Sequence, residues 1–157
     1  MTGFTAIPRV GLRDGRLDPV TLFDAFCRAE GAAGAVASFT GVVRDEDGGV
    51  DYLYLDWYPG MSEASLQAIA QACVERFEVT ALTVEHRCGK VGRGEAIVFV
   101  AAASKHRRAA LEAVDYAMDR LKSEAALWKR EVGPEVDRWV EPRVEDSKDL
   151  ERWKAHE

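Results

Sequence analysis

The sequence predicts an α+β domain, a mostly antiparallel sheet with helices packed against it. Two observations carry that prediction. Segments of strand character come in pairs joined by short turn-forming stretches, and between and after those pairs lie segments whose apolar residues recur at helical spacing. Composition supports a single core: of 157 residues, 47% are hydrophobic and 31% charged, the balance of an ordinary folded domain. Residues 1–142 are read as that one domain, and the charged residues 143–157 as a tail, helical or mobile.

Taken in order, residues 4–10 (FTAIPRV) alternate imperfectly and contain a proline, which suits an edge strand. Asp18-Pro19 then reads as an N-cap followed by proline at the first helical position. Leu22, Phe23, Phe26 and Cys27 continue at helical spacing, so a helix is expected over 19–30 with Gly31 as its C-cap. Small and β-branched residues over 34–43 predict a strand ending at Arg44. DEDGG (45–49) is a turn by composition, and 50–58 is read as the returning strand of a hairpin. After the Pro59-Gly60 break, Ser62 is the expected N-cap of a helix to residue 77, with Leu66, Ile69, Ala70, Cys73, Val74 and Phe77 on one face.

Two more strands follow, 81–88 and 95–103, joined by GKVGRG (89–94). Three glycines and two cations suggest a phosphate-cradling loop, but the spacing fits neither dinucleotide nor P-loop patterns and a strand follows, so a hairpin turn is the better reading. The nearly all-apolar 96–103 is expected at the centre of the sheet, covered on both faces.

The next helix is expected to start at a Ser104 cap. At ~100° per residue, Arg107, Leu111, Val114, Met118, Leu121 and Lys122 fall within a third of its circumference, which puts two cations on the expected buried face. An unpaired buried cation is costly, so Arg107 and Lys122 should meet an acid, a cleft or an anion. Lys122 alone is explained by the negative end of the helix dipole. His106-Arg107-Arg108 is not, because cations in a first turn oppose the dipole unless an anion binds there. Short strands are expected over 127–132 and 137–141, with Lys129 on the face opposite Trp128 and Arg130.

Charge and cysteine usage narrow the function. A net charge of -6 argues against a general nucleic-acid binder, so an anion site must be local. No uninterrupted apolar run approaches the ~20 residues of a membrane span, and the N-terminus lacks an apolar signal region, which predicts a cytoplasmic protein. Cys27, Cys73 and Cys88 lack metal-ligand spacing and are read as reduced packing residues. No metal and no cofactor is expected.

GAVASFTGVVR (34–44), LDWYPGMSE (55–63), EHRCGKVGRGE (85–95), SKHRR (104–108), MDRLK (118–122), WKRE (128–131) and DRWVE (137–141) occur in this order. As a set they resemble the large, catalytic subunit of molybdopterin synthase, over residues 34–141. The resemblance implies an α/β-hammerhead-like fold and a sulfurtransferase of molybdenum cofactor biosynthesis. Such an enzyme takes sulfur from the C-terminal Gly-Gly thiocarboxylate of a small ubiquitin-like partner and converts cyclic pyranopterin monophosphate to the dithiolene molybdopterin. It implies a central homodimer of large subunits with a small subunit at each end. By motif matching it puts Phe39, Arg44, His106, Arg107, Met118, Lys122 and Lys129 in the active site, with Arg143 a further candidate.

Chemistry assigns roles to those residues. Arg44, His106 and Arg107 are natural ligands of the substrate phosphate. Lys122 and Lys129 are the general acid/base candidates, since two ammonium groups in a partly dry pocket depress one another's pKa until one is neutral near pH 7. Arg107 and Lys122 are fifteen residues apart on one helix, about 22 Å at 1.5 Å per residue, too far to share a pterin-sized pocket. A composite site is therefore expected, with His106 and Arg107 from one protomer and Lys122 and Lys129 from the other. Sulfur that arrives on the partner leaves no task for a cysteine nucleophile. Two rivals stand beside this reading: a non-catalytic anion-binding or scaffold subunit on the same fold, and an enzyme for another phosphorylated heterocycle.

Overall fold

The computed structural model describes residues 5–45 and 48–154. Its elements run β1 (Arg9–Asp14), α1 (Pro19–Ala29), β2 (Ala35–Val42), β3 (Tyr52–Trp57), α2 (Met61–Arg76), β4 (Ala81–Gly92), β5 (Ala96–Ser104), α3 (Arg107–Glu124), β6 (Leu127–Val132), β7 (Asp137–Val140) and α4 (Val144–Glu151). The sheet order is β2-β5-β4-β3-β6-β7, antiparallel at every step, and β1 adds parallel to β4. The expected α+β class with a mostly antiparallel sheet is what forms.

β4 organises the domain because two half-sheets share it. Residues 81–86 pair with β5 and 83–88 with β1, whereas 89–92 pair with β3. The change occurs at Gly89, whose φ is +76° and where a Cβ would stand 2.5 Å from Asp14 Oδ1. Only glycine takes that conformation cheaply. β5 is central and buried as expected. Val98, Val100 and Ala102 face the main core with Leu82 and Val84 of β4 and residues of α2 and α3, while Phe99, Ala101 and Ala103 pack with Phe26 of α1 on the other side.

Several local expectations change. The first strand lies at 9–14 rather than 4–10, and Phe4, the first residue of the expected strand, falls outside the described residues. Asp18 caps α1 as expected, accepting from the Val20 and Thr21 amides, but the C-cap is Glu30, and Gly31 does not adopt a positive φ. β2 and β3 do not form a hairpin: β2 pairs with β5, and β3 with β4 and β6. Alternation reports which face is buried, and it carries no information about the neighbouring strand. Of the 45–49 turn between them, residues 46 and 47 lie outside the described residues.

Ser62 does not sit at the N-cap. Gly60 does, with φ +87° and its amide donating to Glu63, and Ser62 is buried inside the first turn of α2. The cations of residues 89–94 stay within the fold: Lys90 Nζ sits 4.4 Å above the Tyr52 ring and Arg93 pairs with Asp45 at 3.5 Å. The tail, expected to be helical or mobile, is helical over α4 and docks on α3. Arg152 pairs with Asp115 at 2.7 Å and Asp119 at 2.6 Å, and Trp153 lies edge-on to Tyr116 and Phe77.

Candidate functional site

The site begins with how α3 lies. Ser104 does not cap it: Ser104 ends β5 and donates to Glu78 O, and the N-cap is His106, which makes no side-chain capping bond. The buried stripe of α3 is Ala110, Ala113, Val114, Ala117 and Leu121, with Tyr116 beside it. Arg107 and Lys122 are exposed, as is Leu111 at 58%, while Met118 is half-buried against the core. The expected buried face is therefore turned by about 90° at ~100° per residue. Weighting large apolar residues hides the reason: alanines bring the helix close to a β5 made of alanine and valine, and burying small residues there leaves the larger ones on a flank. Arg107 and Lys122 reach solvent from that flank and need no buried counter-charge.

Lys122 stands in the last turn of α3, and the chain then crosses to β6 through Ala125 and Ala126. Two serines of α2 pin the crossing. Ser62 Oγ donates to Ala126 O at 2.6 Å and accepts from the Tyr58 amide, and Ser65 Oγ accepts from the Ala126 amide at 2.9 Å. Buried polar groups satisfied in this way hold one geometry. Lys129 follows in β6, in register between Leu55 of β3 and Val140 of β7. Leu55 is fully buried, so Lys129 shares the core-facing side of the sheet. Trp128 and Arg130 alternate to the other face, where Trp128 packs edge-on to Tyr58 and Arg130 lies over Tyr54 and Trp139.

Burial holds the Lys129 amine below the ordinary lysine range. The Lys122 charge lowers it further, Asp146 opposes that, and Arg143 adds to the lowering. Arg143 is the exposed N-cap of α4; its amide donates to Asp146 Oδ2 at 3.0 Å and its guanidinium lies 3.4 Å from Oδ1. His86 completes the group. It is buried, and its Nδ1–H donates to Arg87 O at 2.8 Å, which leaves Nε2 with its lone pair. Its pKa is pushed down to about 4, first by burial and then by Lys129 and Lys122. The cluster thus offers a neutral imidazole, an amine of lowered basicity, and cationic groups able to hold an oxyanion.

The predicted residues divide into two places. Lys122, Lys129 and Arg143 come within electrostatic reach of one another. His106 and Arg107 lie at the opposite end of α3, about 22 Å from Lys122 by the helical rise. No acid stands in that first turn. Phe39, 42% exposed, and Arg44 lie on and just beyond the edge strand β2.

Sequence reasoning overlooked His86 and Asp146. The inward alternation of Leu82, Val84 and His86 was a usable signal for the first. Nothing local marks Asp146, whose place depends on how α4 docks. Two of the cysteines are built as packing residues: burial pushes the Cys73 thiol up to about 12 and Cys88 up to about 11, and Cys73 Sγ lies 3.3 Å from Ala113 O.

Comparison with known proteins identifies the family and the fold. The family model described as MoaE protein matches residues 12–124. The molybdopterin synthase catalytic subunit of Caulobacter vibrioides is 48% identical over 144 residues, covering 92% of this chain and 96% of that protein. Among solved structures, the molybdopterin biosynthesis MoaE protein of Burkholderia ambifaria superposes with a TM-score of 0.79 at 33% identity, covering 94% of this chain and 98% of its own. A chain from the complex of subunits 1 and 2 of the Helicobacter pylori molybdopterin-converting factor shares the fold, with a TM-score of 0.73 at 24% identity and coverage of 85% and 91%. With that model spanning most of the domain and a relative nearly half identical along nearly its whole length, the chain belongs to the MoaE protein family.

Proposed function

We propose that this chain is the catalytic subunit of a molybdopterin synthase, transferring sulfur from the thiocarboxylated C-terminus of a small ubiquitin-like partner to cyclic pyranopterin monophosphate. The observation that carries the reading is the Lys122–Lys129 pair, in which burial and a neighbouring charge lower the basicity of Lys129. In each half-reaction the thiocarboxylate sulfur bonds to an electrophilic carbon of the pterin side chain and the C–O bond at that carbon breaks, its oxygen leaving as water or as the oxygen of the opened phosphate ester. Water then cleaves the resulting thioester, leaving the sulfur on the pterin and returning the partner as a carboxylate. Lys129, its basicity lowered by burial and by the Lys122 charge, moves the protons these steps require, and Lys122 remains the charged neighbour that stabilises the developing oxyanion. Arg44, His106 and Arg107 bind the phosphate, Phe39 and Met118 line the pterin, and Arg143 receives the anionic end of the partner.

The half-sites at the two ends of α3 are completed by a second copy of the chain, so that His106 and Arg107 of one protomer face Lys122 and Lys129 of the other. An edge strand with Phe39 and Val42 exposed, together with Leu111 on the uncovered flank of α3, supports such an apolar contact between copies. Action in the cytoplasm belongs to the same reading; no helix among the described residues is long and apolar enough to cross a membrane. The test mixes the purified chain with thiocarboxylated partner and pyranopterin and follows dithiolene formation. Formation that depends on this chain supports the reading, and tight partner binding with no dithiolene would leave the scaffold alternative in its place.

A further inference from the structure

Asp146 is the one buried carboxylate among the described residues, and a carboxylate is rarely buried without a reason. Its hydrogen bonds explain half of its position. It accepts from the Arg143 amide and lies against the Arg143 guanidinium, which caps the start of α4. Surface helices have such caps in plain solvent, so capping alone does not account for burial.

The topology accounts for it. Val140 of β7 stands opposite Lys129 of β6, and three residues later Arg143 opens α4, so the first turn of α4 is delivered beside the Lys129 rung. The far end of the same helix is fastened to α3. Arg152 pairs with Asp115 and Asp119, Trp153 Nε1 donates to Asp119 at 2.6 Å, and Arg76 donates to the Trp153 carbonyl at 2.6 Å. Asp119 precedes Lys122 by three residues on that helix. The clasp therefore ties the strand that carries Lys129 to the helix that carries Lys122. The groups around the Lys129 amine are Lys122 from α3, Arg143 and Asp146 from α4, and His86 from β4. Asp146 is the anion of the set.

We infer that Asp146 is a positioning residue for the Lys122–Lys129 pair, held there by the Arg152–Trp153 clasp, where it orients Arg143 and supplies the counter-charge of the pair. The catalytic meaning of this rests on the sulfur-transfer reading, whereas the electrostatic claim does not, and the two are tested apart.

The experiment titrates Lys129 in the intact chain by competitive acetylation with acetic anhydride across pH, read peptide by peptide by mass spectrometry. Asp146→Asn keeps an acceptor for the Arg143 amide and removes the charge. Lys129 is expected to titrate lower than in wild type, with a larger neutral fraction at a given pH, because the one carboxylate that raises its basicity is gone, and Asp146→Glu is expected to stay close to wild type. Trp153→Ala, with residue 146 unchanged, is expected to move Lys129 away from its wild-type titration and to loosen α4 in hydrogen exchange. An unchanged Lys129 titration in folded Asp146→Asn would overturn the inference and leave Asp146 as a helix cap. An unchanged titration in Trp153→Ala would overturn the role of the clasp. Neither readout needs turnover, so a failed dithiolene assay and a failed Asp146 are separate results. In the dithiolene assay the rate–pH profile of Asp146→Asn should shift in the same direction as the labelling.

Discussion

Acid should weaken this fold through His86 before it does so through most carboxylates. The folded chain holds a neutral imidazole against the Arg87 carbonyl, with a pKa of about 4 against the usual 6.5. Between those values the unfolded chain binds the proton and the folded chain does not, so stability falls as pH drops through the window from 6.5 to 4. The full difference corresponds to roughly 3 kcal/mol, most of which is lost by pH 4.5. That is a large share of a typical domain's stability. The Asp18 and Glu95 carboxyls also lie below their ordinary range, held first by the Thr21 hydroxyl and the Arg87 guanidinium respectively. Their contribution is present above the ordinary carboxylate pKa and is lost only at lower pH. The assay is urea unfolding at fixed ionic strength at pH 7.5 and 4.5, for wild type and His86→Asn. Asn Nδ2 can take over the bond to Arg87 O, and the volume it gives up costs the same at both pH values. Wild type should lose more than the variant on acidification, by roughly 2–3 kcal/mol. Equal losses in the two proteins would refute the buried neutral imidazole.

Further outcomes follow from the same site. Lys122→Ala and Lys129→Ala should each lower dithiolene formation by about 100-fold or more, the usual worth of a placed acid or base, and normal turnover in both variants would dispose of the lysine mechanism. Because Lys122 lowers the basicity of Lys129, Lys122→Met should raise the labelling pKa of Lys129, opposite in sign to Asp146→Asn. Replacing Cys27, Cys73 and Cys88 together by alanine should leave sulfur transfer intact; loss of transfer in a folded single variant would bring back a cysteine persulfide. Gly89→Ala should cost about 2 kcal/mol from the left-handed backbone and the Asp14 contact, read as a lower urea midpoint at unchanged slope, and Asp14→Ala should relieve part of it.

Sequence reading reached the elements more securely than their arrangement. Apolar spacing and Asp18-Pro19 are local signals, and α1, α2 and β5 to β7 lie close to where they predict, whereas β4 runs four residues past its expected end, through residues 89–92 of the expected turn, where it pairs with β3. The pairing of β2 with β5 rather than β3 is a nonlocal choice that alternation leaves open. The phase of α3 failed because alanine carries little weight in an apolar stripe, although it lets two elements approach most closely. Lys122 and Lys129 could be named because their motifs are local. His86 and Asp146 join them only through the β4 register and the docking of α4, which no short stretch of sequence records.

The proposed function has one catalytic site shared between two copies of the chain, because His106 and Arg107 stand about 22 Å from Lys122 along α3, too far apart for one copy to use both. Subunit mixing tests it most directly. Arg107→Ala and Lys122→Ala are each purified inactive, then exchanged to form mixed dimers in the presence of thiocarboxylated partner and pyranopterin. A shared site leaves one intact active site in every mixed dimer, so a statistical mixture should recover about a quarter of wild-type dithiolene formation. A mixture no more active than either variant alone would place the whole site within one chain and contradict the account.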